Sequence, residues 1–323
     1  MQGASLPHPE PGRCCYPCGC LLRSLLLFLS RQSWLRHWVE TSPAADRLTS
    51  RFVAGHTLDR EIVVCQRLNQ DGYLASLDHL GESVTSLAEA ENSRDAYLAA
   101  LDRIAALKLN ATVSVKLTQL GLDFSAPDCE ANVERLVVRA KEIGTAVEID
   151  MESSGYVDRT LALVERMHAK HGHVRAVIQA YLHRSEGDIR ILCSKGIPVR
   201  LCKGAYQESA HAAFPRKPDV DRNYAALMHI LFSDGIQPAI ASHDEKIVQH
   251  AIAMVKEQKL SADRFEFQML YGIRRDLQRR LIGEGFRLRL YVPYGDAWYP
   301  YFMRRLAERP ANVLFLVRNL VKS

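Results

Sequence analysis

Two adjacent arginines, Arg304 and Arg305, follow Tyr301 by three and four positions, so all three share one side of a helix that begins near Trp298. Guanidinium forks match carboxylate or phosphate oxygens two bonds at a time, so the pair reads as a grip for an anion beside a phenol. Upstream, Leu288, Leu290 and Val292 alternate with Arg289 and Tyr291 in strand fashion. Pro293 and Gly295 break that pattern, which predicts that Tyr291 sits where a strand ends. Glu308, four residues after Arg304, also fits a solvated basic face, and the pair taken alone favours that plainer reading.

The elements that must position these residues alternate regularly from Gly72 onward. Strands are expected at 73–81, 112–117, 146–150, 175–181, 198–202, 238–242, 265–269 and 286–292. Helices are expected between them at 93–109, 129–143, 157–170, 186–194, 222–232, 245–258 and 276–283, with the arginine helix last. Eight strands, each followed by a helix, predict a (β/α)8 TIM barrel, because parallel strands need helical crossovers and eight of them close. A doubly wound open sheet would carry a glycine-rich GxGxxG turn after its first strand, and DHLGES stands there instead. Three segments are therefore expected: a leader over 1–33, N-terminal helices over 34–71, and the barrel over 72–323. Within the second, Val53-Ala54-Gly55 interrupts the helical pattern, and Thr57 followed by Asp59 and Glu61 reads as an N-cap with its acids.

In such barrels chemistry collects at the C-terminal strand ends. Here those ends supply Lys116, Gln119, Asp150, Glu152, Gln179, Arg200, Lys203, Ser242, His243, Gln268 and Tyr291. An ammonium inside an apolar strand needs a partner, and for Lys116 that is Asp150 or a substrate anion, so a structural ion pair and a catalytic one both remain open. His243 could cap the helix that starts near Asp244, and Gln179 could bond a neighbouring strand. Arg200 and Lys203, followed by Gly204 and Ala205, form an anion-binding type of strand-to-helix turn.

At 323 residues, with 47% hydrophobic and 24% charged residues, the chain has the composition of a folded globular enzyme. Its net charge of +5 is spread along the sequence and gives no reason to expect nucleic acid. HExxH, GxxxxGK and GxSxG are all missing, which removes the usual signatures of metalloproteases, nucleotide triphosphatases and α/β-hydrolases. Cys65, Cys129, Cys193 and Cys202 stand alone as expected core thiols of a cytoplasmic protein. The N-terminal run of Cys14, Cys15, Cys18 and Cys20 has no second ligand pair at finger-like spacing, so no metal site is expected. Leu21–Leu29 is too short to span a bilayer, and Arg23 interrupts it.

Seven stretches now stand in order at the expected strand ends: VSVKLTQLG (113–121), EIDMESS (148–154), IQAY (178–181), VRLCKGAYQE (199–208), SHD (242–244), FEFQMLYG (265–272) and YVPYG…WYPYFMRRLAE (291–308). Together they resemble the proline dehydrogenases of the bacterial single-function type, over roughly Arg47 to Ser323. The resemblance implies a distorted barrel with an N-terminal helical extension, holding FAD non-covalently at the strand ends. It implies oxidation of L-proline to Δ1-pyrroline-5-carboxylate, with electrons passed to membrane quinone and the product to pyrroline-5-carboxylate dehydrogenase. A cytoplasmic protein with peripheral membrane contact would follow.

Carried over residue by residue, Arg304 and Arg305 would clamp the proline carboxylate, with Glu308 supporting an arginine. Lys116 and Tyr291 would border the pocket, Asp150 would hold them in place or act as a base, and Leu201 and Tyr301 would enclose the ring. For the cofactor, Met151 would lie against the flavin, Gln179 would face its ring and Arg200 would lie near N5. Lys203, Gly204, Ala205 and Tyr206 would surround the ribityl and phosphate portion, and Ser242 and His243 would bind further atoms. A related barrel flavoenzyme acting on hydroxyproline, another cyclic amine or a folate is the alternative enzyme reading. A non-catalytic flavin-binding regulator would need a DNA-binding segment, and no basic ribbon-helix-helix stretch precedes the barrel.

Overall fold

Short runs rich in Val, Ile, Leu and Ala, each closed by a helix that carries the chain back, become eight parallel strands of one closed barrel. The structure, a computed structural model, describes residues 52–81, 84–261, 263–295, 297–299, 301 and 303. The chain divides into two compact units, one of residues 50–298 and one of residues 1–49 with 299–323. Of the second unit the described residues are Tyr299, Tyr301 and Met303, all helical and buried.

In the first unit the order is α1 (Leu58–Gln70), β1 (Leu74–His79), α2 (Leu87–Leu107), β2 (Ala111–Val115), α3 (Ala126–Glu142) and β3 (Val147–Ile149). It continues with α4 (Val157–His171), β4 (Val174–Gln179), α5 (Ser185–Ser194), β5 (Val199–Cys202), α6 (Lys217–Asp234) and β6 (Ala239–Ala241). Last come α7 (Glu245–Glu257), β7 (Glu266–Leu270), α8 (Arg275–Gly283) and β8 (Leu288–Tyr294), which closes on β1 with Ser76 opposite Tyr291.

Strand residues alternate between the helix layer and the barrel interior. Val113, Ile149, Ile178, Leu201, Ile240, Phe267 and Leu290 are buried among the helix-facing set. The interior set is polar. Thr112 bonds Glu148 at 3.0 Å, Gln268 bonds Glu148 at 3.0 Å, and Arg289 bonds Glu266 at 2.8 and 3.0 Å. Glu148 on β3 and Gln268 on β7 are not on neighbouring strands, so only the interior can bring them together. Barrels of this class are usually filled by layers of branched aliphatic side chains; this one is filled by Arg175, Arg200 and Arg289 around Glu148 and Glu266. An isolated charge there would cost several kcal/mol, and mutual pairing offsets that cost.

Four expectations change. β8 runs past Tyr291 and through Pro293 to Tyr294. β7 stops pairing at Leu270 opposite Tyr291, so Pro293 lies beyond that ladder, where β1 still pairs with β8, Gly55 bridges Tyr294 and the Ala54 N–H donates to the Pro293 carbonyl at 2.9 Å. Helix α2 starts at Leu87 rather than 93, because Ser86 accepts from the Glu89 N–H while Glu89 returns to the Thr85 N–H at 2.7 Å. Helix α6 starts at Lys217 rather than 222, with a proline in its first turn. Glu61 is not a capping acid: it is fully buried on α1, while Thr57 caps the Arg60 N–H. The expected leader (1–33), the part of the N-terminal helices up to residue 51, and Glu308 lie outside the described residues.

Candidate active site

Asp150 leaves the end of β3 pointing into the barrel mouth, and four side chains converge on it. Ser114 donates to its Oδ1 at 2.8 Å and Tyr291 to its Oδ2 at 2.8 Å, Lys116 Nζ lies 3.2 Å from Oδ2, and Arg200 pairs with Oδ1. Each donor is an inward residue of a different strand or strand end: β2, the segment just after it, β5 and β8. Burial would push the Asp150 carboxyl up, but the Arg200 guanidinium and the Lys116 ammonium, with the hydroxyls of Tyr291 and Ser114, hold it at about 2. The ionised carboxylate so placed holds Lys116, Arg200, Ser114 and Tyr291 together.

Lys116 is also 3.2 Å from Asp78 and 3.3 Å from the Tyr291 hydroxyl. Burial, then the charges of Asp150 and Asp78, push the Tyr291 phenol up, so it stays a neutral donor. The Arg200 guanidinium lies 5.5 Å from the Tyr291 ring centroid, within cation–π range. Its other nitrogen reaches Gln268 at 3.3 Å and Glu148 at 3.2 Å. The rim thus stands on the charged interior beneath it.

The second group surrounds the ends of β4, β5 and β6. Gln179 donates to the carbonyls of Met151 and Glu152 at 3.2 and 2.7 Å, which fixes its amide orientation. Lys203 pairs with Asp221 at 2.6 Å and Asp244 at 2.8 Å. Gly204 has φ +115, and a Cβ there would stand 2.3 Å from the Tyr181 ring, so only glycine fits this turn. Ser242 accepts from the Asp244 N–H at 3.1 Å. His243 does not cap α7, since Asp244 does; its Nε2 accepts the Leu270 N–H at 2.9 Å, which places the proton of the neutral ring on Nδ1. Ala205 is exposed and Tyr206 half-buried.

Most of the expected site residues thus assemble at one barrel mouth. Leu201 alternates with the inward Arg200 and is fully buried, and its backbone carbonyl accepts from Tyr224 of α6 at 2.8 Å. Arg304 and Arg305 lie outside the described residues, and Tyr301 belongs to the other unit. Sequence reading missed Asp78, Ser114 and Glu148. Their signal was polar residues two apart inside apolar strands: Ser76 with Asp78, Ser114 with Lys116, Glu148 with Asp150.

The proline dehydrogenase family model matches residues 45–318. The chain belongs to that family. It is 39% identical over 303 residues to proline dehydrogenase 1 of Bacillus subtilis, covering 94% of this chain and all of that one. It is 40% identical over 280 residues to the proline dehydrogenase of Deinococcus radiodurans, covering 85% of this chain and 90% of that one. Among solved structures, proline utilization A (PutA) from Bdellovibrio bacteriovorus inactivated by N-propargylglycine superposes with a TM-score of 0.79 at 23% identity. That match covers 89% of this chain and 36% of the other, and it shows the shared barrel.

Proline dehydrogenases carry FAD, and two features of this mouth fit that group. The buried Gln179 Oε1 has no hydrogen-bond partner among the described residues, although its amide nitrogen is doubly engaged. The Gly204 turn lets backbone approach closely where a side chain could not stand.

Proposed function

We propose that this chain is an FAD-dependent proline dehydrogenase, oxidising L-proline to Δ1-pyrroline-5-carboxylate as the first step of proline catabolism. The observation that carries the reading is the knot of Ser114, Lys116, Arg200 and Tyr291 on Asp150 at the mouth of a barrel of this family. When bound, FAD supplies the two-electron acceptor for the hydride that leaves the proline ring carbon next to the amine. Gln179, Lys203, Gly204, Ala205, Tyr206, Ser242 and His243 would hold it, with Met151 beside the flavin and Arg200 near its ring.

The chain's own part is positioning. Asp150, ionised throughout the working pH range, fixes Lys116 and Tyr291 at the pocket wall and keeps Arg200 aimed at the mouth. The cations Lys116 and Arg200 favour the neutral amine over the ammonium, the form from which hydride can leave. Arg304 and Arg305 are assigned to the substrate carboxylate by the family resemblance, and their replacement by Met should raise KM for proline by at least about 100-fold while FAD stays bound. The electron acceptor is taken to be a membrane quinone, reached by peripheral contact; no described helix is long and apolar enough to cross a membrane. Reoxidation of the reduced protein by a quinone analogue tests that part.

The main test is anaerobic addition of L-proline to the purified protein, which should bleach its flavin absorbance. Folded protein without flavin, or flavin that L-proline leaves oxidised, would overturn the reading.

A further inference from the structure

The loop from Lys203 to Arg216, between β5 and α6, carries the cofactor-facing residues Lys203 to Tyr206, and three separate fastenings tie it down. At its start, the Lys203 carbonyl accepts from the Tyr181 N–H at 2.9 Å, and the Lys203 ammonium joins Asp221 and Asp244. At its far end, Ala213 bridges Leu182, the Phe214 N–H donates to the Tyr181 carbonyl at 2.8 Å, and the Phe214 ring packs edge-on against His183. All these partners follow β4, or lie on α6 and at the cap of α7.

The middle fastening reaches elsewhere. Glu208 accepts from the Ser154 N–H at 2.7 Å and from the Ser154 hydroxyl at 2.5 Å. Ser154 lies four residues after Asp150, in the segment that follows β3 and carries Met151 and Glu152. Glu152 is held in turn by the Thr118 N–H and hydroxyl, two residues after Lys116. One carboxylate thus joins the loop assigned to the cofactor to the segment that carries Asp150.

We propose that Glu208 is a positioning residue: its paired bonds to Ser154 lock the β5–α6 loop across the barrel mouth and hold residues 203–206 in the conformation that binds FAD. The proposal rests on the reading of this mouth as the FAD site. Glu208 touches none of Lys116, Asp150, Arg200 or Tyr291 in the described bonds, so its loss should act on cofactor retention and leave the chemical step alone. A carboxylate that accepts two hydrogen bonds contributes enough that removing it should weaken FAD binding by about tenfold or more.

The test compares wild type, Glu208→Ala, Glu208→Gln and Ser154→Ala. FAD affinity is read by quenching of flavin fluorescence, kcat is read at saturating FAD, and trypsin cleavage after Arg216 is followed in the FAD-free protein. Glu208→Ala should weaken FAD binding, speed cleavage at Arg216, and keep both kcat at saturating FAD and the thermal midpoint near wild type. Glu208→Gln, which retains one acceptor oxygen, and Ser154→Ala, which retains the backbone donor, should fall between. Wild-type affinity and cleavage in Glu208→Ala would overturn the proposal, as would a fall in affinity, kcat and thermal midpoint together. If wild type itself takes up no FAD, the functional reading fails, while the cleavage rates still report whether Glu208 locks the loop.

Discussion

Two regions of this barrel bury carboxylates equally well and treat them in opposite ways. Inside the barrel, burial alone would raise Glu266, yet Arg289 and Arg175 hold it far below the usual carboxylate range, with Gln268 donating at 2.8 Å. Behind the wall, where α1 packs on β1 and β8, Glu61 is fully buried and neither carboxyl oxygen has a hydrogen-bond partner among the described residues. Burial, and after it the charge of Asp78, push that carboxyl well up. Residue type and depth are the same, so the sign of each shift comes from the partner. The interior is organised to keep charge, directly beneath a mouth that carries Lys116 and Arg200. The seam behind α1 pushes its acid toward the neutral form.

The sharpest way to break the interior half of the comparison is at Asp150. Asp150→Ala removes the shared acceptor of Ser114, Lys116, Arg200 and Tyr291 and leaves two buried cations without it. The rate of anaerobic flavin reduction by proline should fall by about a thousandfold, the scale on which breaking a buried pair acts. Because Asp150 is held at about 2, below its unfolded value, its contribution to stability is present above the unfolded value and is lost as pH falls toward 2. An acid-unfolding curve of Asp150→Asn should lack that limb.

Next in size is Glu266→Gln, which strands Arg175 and Arg289 in the interior. Urea unfolding should show a loss of about 3–5 kcal/mol. A loss under about 1 kcal/mol would mean that Glu148 alone suffices to neutralise both arginines.

The two regions were also unequally legible in the sequence. Eight strands and their order follow from apolar runs bounded by Gly, Pro and polar residues, and the register of charge is written as alternation: Arg289 with Tyr291, Glu266 with Gln268, Glu148 with Asp150. Pairing is not written there. Gln268 and Glu148 are 120 residues apart and meet only because β3 and β7 face each other across a closed barrel. For Leu201 the two kinds of reading differ: resemblance assigns it to the substrate, while in β5 it alternates with the inward Arg200 and is fully buried. Glu61 was the least legible, because an acid in the first turns of a helix reads as an exposed capping residue. In the same turn Asp59 does play that exposed part, pairing with Arg103 at 2.6 Å.

The smallest effect, and the one that tests the seam, is expected from Glu61→Gln. A carboxyl whose folded value is raised binds its proton more tightly in the folded than in the unfolded state. Its stabilising share is therefore complete below the unfolded value and declines as pH rises from there toward the folded value. Glutamine has the shape of the neutral acid and does not titrate. At about pH 5 the variant should lie within about 1 kcal/mol of wild type, because each leaves the same buried polar group without a protein partner. At about pH 8 it should be the more stable of the two, so the difference in thermal midpoint should grow with pH in favour of the variant. If wild type instead gained on Glu61→Gln as pH rose, Glu61 would be an ionised and partnered carboxylate like Glu266, and the contrast between seam and interior would collapse.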